Sequence, residues 1–379
     1  MVWRLGLVAL AVTAALAPIP PDSIERLYSS GIYPELQNAL TGLSNRTPVT
    51  LFDLSCVAIV MCWVGAFLWD VAKAPVMSWP KILLRLAGRT FVVAAVVYLA
   101  FVVTWGFNYR RPSLASRLGF DAESATGSQA VALAEAAVAR LNTLYESAHQ
   151  ADARTGGVDP NLAEAFESAQ SILGVERPAE PARPKTTLLD AYFRAAGVDG
   201  LTAPFFAETL VPSDLLDVER PVVIAHEWSH LAGFADEGEA GFVAWLTCLS
   251  GPALIEYSGW LSMLSDAVRV LPPGERERIM KDLDPGPVSD LRAVAARRIR
   301  NVNPTVSRAG WRVYDQYLRA NRVESGTASY GEALQLALGT DLGRRSWQVR
   351  RQSSARDQSR DTLPTGVAGS SPRSRESPG

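Results

Sequence analysis

Residues 220–250, RPVVIAHEWSHLAGFADEGEAGFVAWLTCLS, decide how this chain is read. Apolar residues recur at helical spacing from Arg220 to Ala232, with Pro221 in the first turn and Gly233 as the stop. A second helix is expected from about 237 to 250. The first helix carries His226-Glu227-Trp228-Ser229-His230, an H-E-x-x-H pattern. Positions i and i+4 share one helix face a turn apart, so two imidazoles there can chelate one metal ion. Glu227 lies beside that face, where its carboxylate reaches a water activated by the metal and takes its proton as it attacks a carbonyl. An aspartate would be too short. With only three histidines in 379 residues, a chance match is on the order of 10⁻³. The competing reading is a pair of core histidines bonded to backbone.

A catalytic zinc needs three protein ligands and an open position. His149, the third histidine, sits at the polar end of a helix and reads as a plain exposed residue, so a carboxylate is expected. Glu239 continues the apolar stripe of Val243, Leu246 and Leu249, which points it inward, and it is the favoured ligand. Glu237 continues a smaller stripe of Gly241, Ala244 and Cys248 and is the alternative; Asp236 is a third, although Asp236-x-x-Glu239 also resembles a helix capping box. Tyr257 and Tyr330 are candidates for a donor to a developing oxyanion.

Outward from this motif, composition sets bounds. Net charge is −2, which excludes a general nucleic-acid binder, and three cysteines exclude both a disulfide-stapled domain and a four-cysteine zinc site. Hydrophobic residues make up 48% of the chain, and three apolar runs, 5–19, 51–71 and 90–107, account for much of that. The last two are long enough to span a hydrocarbon core. The first is a short anchor by preference, although Ala15-Leu16-Ala17 resembles a signal cleavage site. Lys73, Lys81, Arg85 and Arg89 between runs two and three place 73–89 in the cytoplasm. The expected order is a first anchor over 1–20, an extracytoplasmic loop over 21–50 with an interfacial amphipathic stretch or loop at 21–40, membrane helices over 51–72 and 90–107, and a catalytic domain over 108–344 outside the cytoplasmic membrane.

That domain reads as mainly helical. Helices are expected at 129–150, 161–173, 254–270, 275–283 and 287–321, with a last one at 330–339. The best strand lies within 201–211. From 345 onward the composition cannot bury enough apolar surface to order itself, so a disordered basic tail is expected.

These residues carry a resemblance. The chain resembles the bacterial membrane proteins grouped as domain of unknown function 3810, which look like zinc metallopeptidases of the gluzincin kind. Trp105-Gly106-Phe107-Asn108-Tyr109-Arg110 looks like that family's W-G-x-N-Y motif, His226 to Phe242 like its H-E-x-x-H and following acidic stretch, Tyr257-Ser258-Gly259 like its Y-S-G, and Ser329-Tyr330-Gly331 like its S-Y-G. The resemblance implies an α-rich zincin-like domain with a small sheet, and it aligns Glu239 with the glutamate before the alanine. Gly238 and Gly241 depart from the pattern. By the same analogy Pro204 to Leu210 is an edge strand that pairs with substrate backbone, while Glu208 reads as a strand-end charge.

The expectation is a membrane-anchored zinc-dependent hydrolase, most simply a peptidase. One zinc ion sits on His226, His230 and Glu239, with Glu227 as general base. The partners are the lipid bilayer and a peptide or protein substrate. A receptor or assembly factor holding a structural zinc is the alternative. A transporter fits poorly, because the spans carry no mid-membrane charge.

Overall fold

The computed structural model describes residues 2–73, 79–151, 156–323, 326 and 331–348. Helix α1 (Val2–Leu16) is followed by the short α2 (Pro21–Ile24), a π-helical stretch (Glu25–Ile32), α3 (Tyr33–Asn45), α4 (Leu51–Ala72) and α5 (Trp79–Thr104). Then come α6 (Leu114–Arg117), α7 (Gly127–Gln150), α8 (Pro160–Ile172), β1 (Pro184–Lys185), α9 (Asp190–Ala196), β2 (Leu201–Ala203) and β3 (Glu208–Leu210). Helices α10 (Arg220–Leu231), α11 (Glu237–Leu249), α12 (Ala253–Val270), α13 (Pro273–Lys281), α14 (Pro285–Arg300), α15 (Pro304–Ala320) and α16 (Glu332–Gly339) complete the order. The protein is mainly helical with one small sheet.

Helices α4 and α5 are long and apolar enough to cross a membrane, and α1 with the segment Pro21–Asn45 forms a pair bent by 115°. The connection between α4 and α5 is shorter than the expected loop 73–89, because α5 already starts at Trp79. Lys81, Arg85 and Arg89 ride on α5, while Lys73 ends α4. Arg89 Nη1 lies 2.5 Å from Asp70 Oδ2 and donates to the Ala66 carbonyl at 3.0 Å, so the charge is satisfied across the hairpin.

The segment 21–50 is largely helical, and its helix α3 is tied to the domain by side-chain hydrogen bonds. Along α3, Gln37 donates to the Glu180 carbonyl, Thr41 to the Ala207 carbonyl and Ser44 to Glu208, all from buried positions. The N-terminus of α4 is held the same way. Glu208 Oε1 and Oε2 accept from the amides of Leu51 and Phe52, and Asp53 accepts from Thr187 and the Leu188 amide. Glu208 is fully buried and pairs with Lys185 Nζ at 2.7 Å. It stands at the first position of β3, the strand end at which it was expected, and from there it caps a membrane-length helix, where the unpaired amides favour an anion.

The sheet order is β1-β3-β2, with β1 parallel and β2 antiparallel to β3. The expected edge strand Pro204–Leu210 is thus divided. Pro204 lies in the turn, β3 is the buried centre, and β2 is one of the two outer strands, with β1 on the other side. The expected helix 287–321 is also two helices. Asn303 accepts from the amides of Thr305 and Val306 and Pro304 restarts the chain as α15, a cap and N1 pair that redirects it.

The core is built from α7, α8, α10, α11, α12 and α16 around Trp228, Trp245, Trp260, Phe166 and Phe242. Past α16, residues 341–348 are helical and Trp347 is buried, so the expected tail does not begin at 345. Residues 349–379 and the candidate Tyr330 lie outside the described residues.

Candidate metal centre

Helix α10 is held at both ends. At its start Ser258 Oγ accepts from the Val222 amide. Glu219 at the N-cap pairs with Arg297 of α14 at 2.7 Å, and Arg297 also reaches Asp199 at 2.6 Å. At its end the free carbonyls are met by donors from the membrane-proximal segments. Tyr33 Oη donates to the Leu231 carbonyl, Trp105 Nε1 to that of His230, and Arg111 to that of Gly233. Gly233 has φ +81°, and a Cβ there would lie 3.0 Å from both Arg111 and Asn108. The Trp-Gly-Phe-Asn-Tyr-Arg-Arg segment thus lies directly on the helix stop, which demands a glycine.

His226 and His230 project together from α10, and Glu237 at the first position of α11 meets them. Glu237 Oε2 is 3.1 Å from His226 Nε2 and 3.5 Å from His230 Nε2, and ligand-type atoms of the three residues lie within 4.8 Å of one another. His230 Nδ1 lies 2.8 Å from the Phe234 carbonyl. Donation there places the proton on Nδ1 and leaves Nε2 facing the cluster. The other oxygen of Glu237, Oε1, accepts a short hydrogen bond from Tyr314 of α15.

Glu239 is not part of this group. Its Oε1 accepts from the Leu114 amide at 2.5 Å, on the far side of the turn. The large apolar stripe of α11 points into the core, as expected, and it carries Glu239 away from the histidines. The small stripe faces α10. Gly241 has His226 Nδ1 at 4.0 Å from where a Cβ would stand, so the two helices approach closely enough for Glu237 to sit beneath both imidazoles. Asp236 caps α11 by accepting from the amides of Gly238 and Glu239, the first half of the expected capping box, while the Glu239 carboxylate turns to the Leu114 amide instead. Tyr257 is likewise removed. Its hydroxyl donates to Asp290 at 2.6 Å and its ring packs beside Tyr145 and His149. His149 is exposed, as expected, and pairs with Asp290.

Glu227 is buried next to the cluster. Thr202 Oγ1, from β2, is 2.8 Å from its Oε2 and 2.9 Å from its main-chain oxygen. A Cβ on Gly200 would stand 2.3 Å from Glu227 Oε1, so only glycine leaves room for the carboxylate. Burial raises the Glu227 carboxyl above the usual range, against the pull of His226 and His230. Burial alone would lower His230, but the Glu237 carboxylate overrides it and lifts the imidazole to about 9. Burial would likewise raise Glu237, but the two histidines hold it well below the carboxylate range. The Glu239 carboxyl, by contrast, is pushed up by burial to about 7.

The sequence reading missed Glu237 as the favoured carboxylate and missed Thr202, Gly200 and Tyr314 altogether. One signal for Tyr314 was present: Trp311, Tyr314 and Tyr317 recur on one face of a helix. Two imidazole nitrogens and a carboxylate oxygen, converging beside a buried carboxylate, are a donor set that could hold a metal ion.

Residues 28–338 match the model of a family described as "Protein of unknown function (DUF3810)". No curated protein and no solved structure matches the chain.

Proposed function

The chain belongs to the DUF3810 family, and from that premise and the geometry of the site we propose that it is a membrane-anchored, zinc-dependent hydrolase, most simply a peptidase. One observation carries the reading: His226, His230 and Glu237 converge within 4.8 Å, with the buried Glu227 carboxylate beside them at the floor of a cleft. A sheet with an outer strand, β2, that touches the histidine-bearing helix is the arrangement expected of a zincin-like domain. The basic residues of the α4–α5 hairpin favour a cytoplasmic hairpin, with the domain on the outer side of the cytoplasmic membrane.

His226, His230 and Glu237 would hold the ion, and zinc when bound supplies Lewis acidity towards a carbonyl and towards water. Tyr314 orients Glu237 by occupying its second oxygen. Glu227, raised by burial and steadied by Thr202, accepts the proton of the attacking water and delivers it to the leaving amine. Gly200 keeps the face of that carboxylate open.

The test is metal content of the detergent-purified full chain. Wild type is expected to hold one zinc, His230→Ala and Glu237→Gln to lose it, and Glu239→Gln to keep it. Glu227→Gln keeps zinc and loses turnover. A wild-type protein that neither contains nor takes up zinc overturns the reading.

A further inference from the structure

Two clefts of different chemistry meet at the metal cluster. The larger, about 720 Å³, is walled on one side by Ala94, Val97, Tyr98 and Phe101 of α5 and ends at His226, Glu227 and His230. The whole of β2 and the two residues after it, 201–205, line it as well. Part of its lining is exposed and apolar although it belongs to elements outside the candidate spans: Tyr192 of α9 is 44% exposed and Val313 of α15 is 66% exposed. The smaller cleft, about 470 Å³, shares His226, Glu227 and Glu237 but is bordered by Asp199, Ser262, Asp266, Arg269 and Arg298.

A chain lying across the cluster therefore passes from an apolar groove, open along a helix long enough to cross the bilayer, into one of mixed lining that carries Asp199, Asp266, Arg269 and Arg298. The apolar lining of the larger cleft, continuous with α5, suits the apolar residues of a bound chain or a lipid tail. The outer strand β2 adds a requirement that lipid does not meet. A strand with a neighbour on one side only presents backbone donors and acceptors that another extended chain can pair with. An acyl chain has nothing to offer them.

We infer, on the basis of the hydrolase reading above, that the substrate is a membrane-tethered peptide. It is drawn out as an extended strand along β2, with apolar residues entering the α5-walled groove from the bilayer and polar residues crossing into the second cleft. The site is then selective for cleavage at the membrane boundary, between an apolar and a polar stretch of the same chain.

The test uses the full chain in nanodiscs and a leucine-rich peptide carrying photo-leucine, with its serine-substituted counterpart and a photoactivatable fatty acid alongside. Crosslinks are mapped by mass spectrometry, and zinc is measured on the same samples. The leucine-rich peptide is expected to label 94–101 and 201–205, and the serine peptide to label neither. Ala94 is exposed and lines the groove, so Ala94→Trp fills the groove without disturbing a core. It should cut the labelling about tenfold or more, as loss of one large apolar contact would, with zinc content unchanged. Labelling spread evenly over the outer faces of α4 and α5 and indifferent to Ala94→Trp overturns the inference. So does labelling of the groove by the fatty acid alone. Protein that neither contains nor takes up zinc but is still labelled in the groove refutes the hydrolase reading and leaves the groove as a peptide site.

Discussion

Loading the site with zinc should expel a proton, and the size of the effect follows from the His230–Glu237 pair. A ligating imidazole must be neutral, yet His230 in the metal-free protein is lifted from 6.5 to about 9 by the carboxylate 3.5 Å away. At pH 7, about two units below that value, His230 is almost wholly protonated, and removing its proton costs about 2.7 kcal/mol. Apparent zinc affinity should therefore rise about tenfold per pH unit from 7, a hundredfold in all, and flatten above about 9. Competition against a chelating dye measures this, with the chelator's own pH dependence subtracted. Calorimetry in buffers of different ionisation heat should count about one proton released from His230 at pH 7. Two controls follow from the same pair. In the metal-free protein the raised imidazole contributes stability that is fully present below pH 6.5 and is lost as pH rises through about 9. In metal-free Glu237→Gln burial acts on the imidazole unopposed by that carboxylate, so the His230 resonance should titrate well below its wild-type midpoint. An affinity unchanged between pH 7 and 9 would refute the proton competition and the placement of Glu237 as the third ligand.

Three further outcomes are expected. Gly200→Ala places a methyl 2.3 Å from Glu227 Oε1, so turnover should fall by about a hundredfold, the cost of misplacing a reacting group, while zinc measured by elemental analysis stays at the wild-type level. Lys185→Met leaves the buried Glu208 without its cation, and thermal unfolding in detergent should show a loss of about 3–5 kcal/mol; an unchanged midpoint would mean that the α4 amides alone satisfy the carboxylate. Tyr257→Phe removes a hydroxyl committed to Asp290, so zinc content and turnover should both remain at wild-type values, and a large loss of turnover would place this tyrosine in the reaction after all.

Much of the molecule was legible because its signals are local. The H-E-x-x-H spacing places two imidazoles on one helix face whatever surrounds them. Runs of apolar residues at 51–71 and 90–107 mark α4 and α5 by composition alone, and Pro221, Gly233 and Asp236 mark helix ends through their own backbone chemistry. The extent of α5 was less legible, since Lys81, Arg85 and Arg89 look like a loop until Asp70 is seen across the hairpin.

The choice between Glu237 and Glu239 was not local. Both lie on the first turn of one helix, and hydrophobic periodicity identifies the face that meets the core, not the face that meets a neighbouring helix at close range. Here these faces differ: the bulky stripe packs inward, while Gly241 and Ala244 let α11 approach α10. A metal site needs close backbone approach more than it needs apolar burial, so the carboxylate that serves it sits above the small residues. Tertiary structure likewise brought Thr202 and Gly200 to Glu227 across a long sequence gap. It folded α15 back so that Tyr314 reaches Glu237, through a turn at Asn303-Pro304 that the helical pattern on either side concealed. The sequence by itself determined which side chains can bind a metal and which segments are long and apolar enough to span a bilayer, because spacing and composition decide those. Which carboxylate completes the set, and that the site floors a groove walled by α5, was decided by packing between elements far apart in the chain, which no local pattern records.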